Sequence, residues 1–150
     1  MIRDTIKADL IAAMKGGDKA RTAAIRLIQS QLKNRDIELR TSANKPEDDA
    51  IVTEVLQKMI KQRRESIDLY EKGGRAELAD VERAEVAVIE GFLPRQMSED
   101  ETKAAIDAIV AETGAASVKD MGRVMALLKE RHATSLDMSK ASGLVKAALG

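Results

Sequence analysis

Residues 48–92 read DDAIVTEVLQKMIKQRRESIDLYEKGGRAELADVERAEVAVIEGF. Apolar side chains recur at Val52, Val55, Leu56, Met59, Ile67 and Tyr70, the three-and-four spacing of one helix face. Gly73-Gly74 stops that helix, and the spacing resumes at Leu78, Val81, Val88, Ile89 and Phe92. Two helices joined by so short a turn are antiparallel neighbours. One charge interrupts each apolar stripe, Arg63 on the first and Glu85 on the second. They lie about equally far from the turn, so equal rise per residue brings them to one level. A half-buried charge is costly unless paired and hydrogen-bonded, so Arg63 and Glu85 are expected to face one another. A structural ion pair is the plain reading. A carboxylate poised for acid–base work is the other, and it lacks a second nearby carboxylate, a histidine or a cofactor.

The helical period extends outward in both directions. A first helix is predicted over about 2–15, with Ile2, Ile6, Leu10, Ala13 and Met14 on one side. Gly16-Gly17 ends it, and Asp18 is placed to cap a second helix running to about Arg40. The second stripe is Ile25, Ile28, Leu32 and Leu39, followed by a polar loop over 41–47. After residue 92, Leu93-Pro94 must break the chain direction, because proline lacks an amide hydrogen and restricts its predecessor. This divides the chain into a bundle of about four helices over 1–93 and a small three-helix domain over 97–150. Ser98 and Glu101 have capping-box spacing ahead of a helix carrying Ile106, Ile109 and Val110, which stops at Gly114. Ser117 with Asp120 resembles a second cap, for a helix carrying Val118, Met121, Val124, Met125 and Leu128. Asp137 is placed to cap the last, which carries Ala141, Leu144, Val145, Ala148 and Leu149. No stretch alternates with period two, so an all-α fold is expected.

Composition agrees and excludes several chemistries. Of 150 residues only Tyr70 and Phe92 are aromatic, so any core is built from Ile, Leu, Val, Met and Ala. There is no Cys, hence no disulfide, thiolate metal site or thiol nucleophile. His132 is the only histidine; it follows Lys129-Glu-Arg131 near a helix end, where a cation suits the helix dipole. No metal site and no cofactor are expected. There is no Walker loop after Gly73-Gly74, and no nucleophile elbow anywhere. No apolar run is long enough for a membrane span, and the opening residues lack the apolar centre of a secretion signal, so a cytoplasmic protein with no membrane partner is expected.

Charge points to one candidate surface. The chain holds 25 basic and 25 acidic residues, so indiscriminate polyanion binding is not expected. Between Lys19 and Arg35, however, five basic residues occur with no acid. Three of them, Lys19, Arg26 and Lys33, are spaced by seven and share a face away from the apolar stripe. Phosphate contact needs such a stripe, and a merely solvated face is the other reading. The third helix adds Lys58, Lys61 and Arg64 but also Glu54, Glu65 and Asp68, and Lys61 with Glu65 has the spacing of an ordinary helical pair. Gly122 is a second oddity. Glycine inside a helix costs roughly 1 kcal/mol against alanine, so close approach by a neighbouring helix or by a ligand is expected there.

Several separated motifs carry a family resemblance. Lys61-Gln-Arg-Arg-Glu-Ser-Ile67, Gly74-Arg75 with Leu78, Glu82 with Glu85, and Phe92-Leu93-Pro94 resemble the YqeY-like family. Met121-Gly-Arg-Val-Met125 and Val145-Lys-Ala-Ala-Leu149 resemble that family's second part, which is similar to the tail domain of GatB. GatB is a subunit of the tRNA-dependent amidotransferase, and its tail helps bind tRNA. The resemblance implies a bundle followed by a GatB-tail-like domain, with tRNA, the amidotransferase or other translation components as partners and no DNA. It carries Lys119, Gly122, Arg123 and Lys146 over as RNA-binding positions. It also brings the label of a carbon–nitrogen ligase with glutamine as amido donor, which belongs to the larger enzyme, since this sequence shows no amidase serine constellation. The expected function is a noncatalytic, tRNA-associated accessory protein. A helical protein–protein adaptor without RNA binding is the alternative, and a true ligase or transferase a third.

Overall fold

A computed structural model describes residues 1–150 and is helical throughout, with no strand. The helices are α1 (Ile2–Lys15), α2 (Lys19–Leu39), α3 (Asp48–Lys72), α4 (Ala76–Phe92), α5 (Glu99–Thr113), α6 (Met121–His132) and α7 (Met138–Leu149). A single 3₁₀ turn covers Val118–Asp120. The chain forms two compact units, Met1–Leu93 and Pro94–Gly150.

In the first unit the stripes of four helices meet. Ile6 and Ala13 of α1, Ile25, Ile28 and Leu32 of α2, Val52, Leu56 and Met59 of α3, and Val86, Ile89 and Phe92 of α4 form the buried centre. Two turns reverse the chain through left-handed glycines, Gly17 at φ 70° and Gly74 at φ 73°. A side chain is strained there, which explains why glycine stands at both hairpins. Asp18 caps α2 by accepting the Arg21 amide at 3.0 Å.

Ion pairs fix how the helices register. Arg3 donates through Nη1 to Asp36 at 3.0 Å and through Nη2 to Asp48 at 2.9 Å, joining the start of α1 to the end of α2 and the start of α3. The Ile2 amide donates to Asp49 Oδ1 at 3.0 Å beside it. Arg21 of α2 pairs with Asp9 of α1 and also lies over the Phe92 ring. Across the α3–α4 hairpin, Arg63 Nε donates to Glu85 Oε2 at 2.7 Å. Their side chains are 16% and 25% exposed, so the pair is screened by little water. Arg64 with Glu90, and Arg83 with Glu71, complete the set of pairs between these two helices.

The second unit buries Ile106 and Ile109 of α5, Val124 and Leu128 of α6, Ala141 and Val145 of α7, and the connecting Ala115 and Leu136. Ser98 and Glu101 form a full capping box at the start of α5. Arg131 near the end of α6 grips Glu112 of α5 through two hydrogen bonds of 2.7 and 2.8 Å. The Met97 amide donates to Ser135 O at 2.7 Å, and the Gln96 amide group donates to Thr134 O at 2.9 Å. These bonds tie the lead-in to the α6–α7 connection.

Four readings of the sequence are corrected. Met14 is 52% exposed, because Ile6, Leu10 and Ala13 already fill the inner face of α1 and Met14 lies round the flank. Leu78 and Val81 are exposed, because the inner face of α4 runs through Ala79, Val86, Ile89 and Phe92, with Ala79 wholly buried, and Leu78 and Val81 lie to either side of it. Ser117 does not cap α6. Residues Val118–Asp120 turn as 3₁₀, Val118 is exposed, and Asp120 instead accepts the Ala116 amide at 3.0 Å. Ala148 lies outside the buried set of α7.

Two outcomes follow for stability. Glu85→Ala leaves Arg63 half-buried without its acceptor and should cost about 2 kcal/mol in urea unfolding, whereas Arg63→Leu with Glu85→Leu should cost less than that single change. In the second unit, Arg131 holds the Glu112 carboxyl below its ordinary range, and the Ser98 amide, then Arg95, do the same for Glu101. A carboxylate lowered on folding stabilises above its unfolded value and loses that effect as pH falls. The melting temperature should therefore drop between about pH 5 and pH 3, and Glu112→Gln should drop less over the same interval.

Candidate functional site

The acid-free segment of α2 divides by face. Arg21 and Arg35 point inward or sideways and are engaged, Arg21 with Asp9, Arg35 with Glu38 at 2.9 Å and Glu54 at 3.5 Å. Lys19, Arg26 and Lys33 point away from Ile25, Ile28 and Leu32 and are exposed. None of the three meets a carboxylate; Lys19 and Lys33 have no polar partner, and Arg26 reaches only the Met14 sulfur at 3.9 Å. A step of seven residues advances about 10.5 Å and drifts only about 20° around the axis, so the three cations form a near-straight row about 21 Å long.

The α1–α2 pairing adds a residue that spacing along α2 did not reveal. Arg3 meets Asp36 and Met14 meets Arg26 on one flank of this hairpin. Counting along this flank from those two contacts, Lys7 of α1 falls towards the level of Lys33, while Arg21 with Asp9 joins the helices on the opposite flank. Lys7 is exposed and without a partner, so it extends the positive row sideways. The sequence signal was present as the Gly16-Gly17 hairpin, but the crossing of the two helices sets the level and only contacts show it. On α3 the Lys61–Glu65 pair is not formed; Lys72 with Asp68 is the four-residue pair on that helix.

In the second unit the structure brings Lys119, Gly122, Arg123 and Lys146 to one end. Antiparallel α6 and α7 put the start of one beside the close of the other, and Gly150 lies against Val118. Lys119 and Lys146 are exposed and unpaired, while Arg123 donates to Asp120 at 3.2 Å. The Ala116 amide, ahead of Arg123, holds the Asp120 carboxyl below its ordinary range. A side chain built at Gly122 would meet nothing within 4 Å, so no helix packs there and the helix–helix explanation is withdrawn. Gly143 on α7 is equally open. Charge is also segregated: residues 94–117 hold two basic and five acidic groups, residues 118–150 six and three. The α6–α7 half of this unit is therefore positive although the unit as a whole is not. No group of three His, Asp or Glu side chains is arranged to hold a metal ion, and no helix is long and apolar enough to cross a membrane.

These features define a two-unit helical protein with charged outer faces. The family model described as Yqey-like protein matches residues 3–149, and the chain belongs to that family. It is similar to the protein named "Altered inheritance of mitochondria protein 41, mitochondrial" of Eremothecium gossypii, 33% identical over 109 residues, which cover 71% of this chain and 58% of the relative. The protein of the same name from Kluyveromyces lactis is 33% identical over 87 residues, 58% of this chain and 45% of the relative. The chain thus spans about half the length of these two relatives. An uncharacterized protein of Schizosaccharomyces pombe is 29% identical over 98 residues, 65% of this chain and 76% of its own.

Gly122→Ala provides a direct check on the open position in α6. With free space around the new methyl group, the helix should gain about 0.5–1 kcal/mol in thermal unfolding. A loss of stability would mean that the fold already uses that space.

Proposed function

We propose that this protein is a noncatalytic, tRNA-associated binding protein, an accessory to tRNA-dependent amidation or another step of translation in the cytoplasm. The observation that carries the reading is the row of Lys19, Arg26 and Lys33: three exposed cations on a rigid helix, none neutralised by a carboxylate. Such a row offers phosphates point contacts whose strength comes from counterion release. The second unit supports it through the resemblance of residues 121–125 and 145–149 to the GatB tail. Its unpaired Lys119 and Lys146, and its open Gly122, leave backbone and cations accessible to a polyanion. The carbon–nitrogen ligase label of the larger enzyme is not taken over, because the sequence carries no amidase serine constellation and no nucleotide-binding loop, and the Glu85 carboxylate is engaged by Arg63.

A protein–protein adaptor is the second reading, and it has its own observation. Leu69, Leu78 and Val81 are exposed on the far part of the α3–α4 hairpin, Leu69 to 69%.

A salt titration of binding to total tRNA separates the two. The RNA reading expects affinity to fall steeply with salt, and Lys19→Ala, Arg26→Ala and Lys33→Ala together should lower the log–log slope by about 2 to 3. No binding at moderate salt would sink it and leave the adaptor.

A further inference from the structure

We infer that the outer α1–α2 face holds the sugar–phosphate backbone of double-helical RNA, and that single strands are poor ligands for it. This rests on the RNA-binding reading above and names the form of RNA.

The positions that carry the cations are set before any ligand arrives. The inner face of α2 is locked, with Ile25 and Ile28 wholly buried, so the backbone positions of Lys19, Arg26 and Lys33 keep steps of about 10.5 Å along one line, and each charge moves only within the reach of its own side chain. A ligand with equally fixed phosphates meets such a row without reorganising. A flexible strand must be ordered to match it, and that ordering opposes binding.

Single strands overcome this cost on other proteins by stacking bases on aromatic rings. This face has no ring. The two aromatics of the chain lie elsewhere: Phe92 is buried beneath Arg21, and Tyr70 sits half-buried on α3. The uncharged neighbours of the cations include Thr22, Ala23, Gln29, Ser30 and Ile37, none of them aromatic, so bases have nothing to stack on. Phosphate contact is what remains, and a duplex carries about twice the charge of a single strand per unit length.

Base reading in the major groove is also blocked by size. An α-helix with side chains is about 10–12 Å across, and the major groove of A-form RNA is deep and narrow. A helix of this kind lies across the backbone rather than in the groove, so the contact ignores sequence. Lys7, exposed and unpaired on α1, offers a further cation from the helix beside the row.

The test uses the full chain and fluorescence anisotropy in about 0.1 M salt, with an RNA duplex of about 20 base pairs, a second duplex of unrelated sequence, a uridine oligomer of equal length, and total tRNA as probes. Both duplexes should bind equally within about twofold, and at least about tenfold more tightly than the oligouridine. Lys7→Ala should lower the duplex salt slope by about 1, with helicity by circular dichroism unchanged. Oligouridine binding as tightly as duplex would overturn this inference while the RNA reading stands. Binding to neither tRNA nor duplex would remove both. Duplex affinity unchanged in Lys7→Ala and in the triple α2 variant would place the contact on another face and overturn the inference as well.

Discussion

Arg3 holds Asp36 and Asp48 at once, and the geometry of the first unit follows from that grip. A core of Ile, Leu, Val and Met with one phenyl ring is greasy but not directional. Such side chains pack in several registers at similar free energy. Charged pairs with fixed geometry choose among those registers. Arg3 sets the ends of α1, α2 and α3 against one another, and its proton is held more firmly still, first by the bonds to Asp48. Arg21 with Asp9 repeats the choice at the other end of α2. Arg63 with Glu85 does the same for α3 and α4, where the surroundings are drier and an unmatched charge would cost most.

The same pairs decide which cations remain outside. An exposed ion pair contributes about 0–1 kcal/mol, so the worth of Arg21 and Arg35 lies more in orientation than in strength. With Ile25 and Ile28 buried beneath it and these two turned to Asp9 and Glu54, α2 presents Lys19, Arg26 and Lys33 to water together. The register of α1 then adds Lys7. A surface of this kind is a by-product of how the core is indexed, and no separate loop or insertion is needed to build it.

Much of this was legible in the residues. Helix ends were readable because glycine, aspartate and the Ser98–Glu101 box act locally, through φ and through backbone donors two or three residues away. The level of Arg63 and Glu85 was readable because a two-glycine turn leaves little freedom between the helices it joins. What the sequence hid depends on where neighbours stop. Leu78 and Val81 carry the right period but the wrong phase, since the small Ala79 between them takes the buried place. Met14 is one residue beyond a face already filled. Gly122 invited a packing explanation, yet whether anything stands over a glycine is a property of the other helices. Lys7 needed the crossing of α1 over α2, which no periodicity contains.

The second unit carries the same lesson in its charges. Its net charge is close to balance, which alone speaks against a polyanion, but the balance is an average over two oppositely charged halves. Potential at a surface depends on the charges within about a Debye length, roughly 8–10 Å, and not on the sum over the chain. On α6 and α7 that local sum is positive. Arg123 is partly neutralised by Asp120, whereas Lys119 and Lys146 are not. The lysines are therefore the groups with charge to offer, and the arginine serves first to fasten the turn that positions Lys119. Resemblance treats these positions alike; electrostatics ranks them.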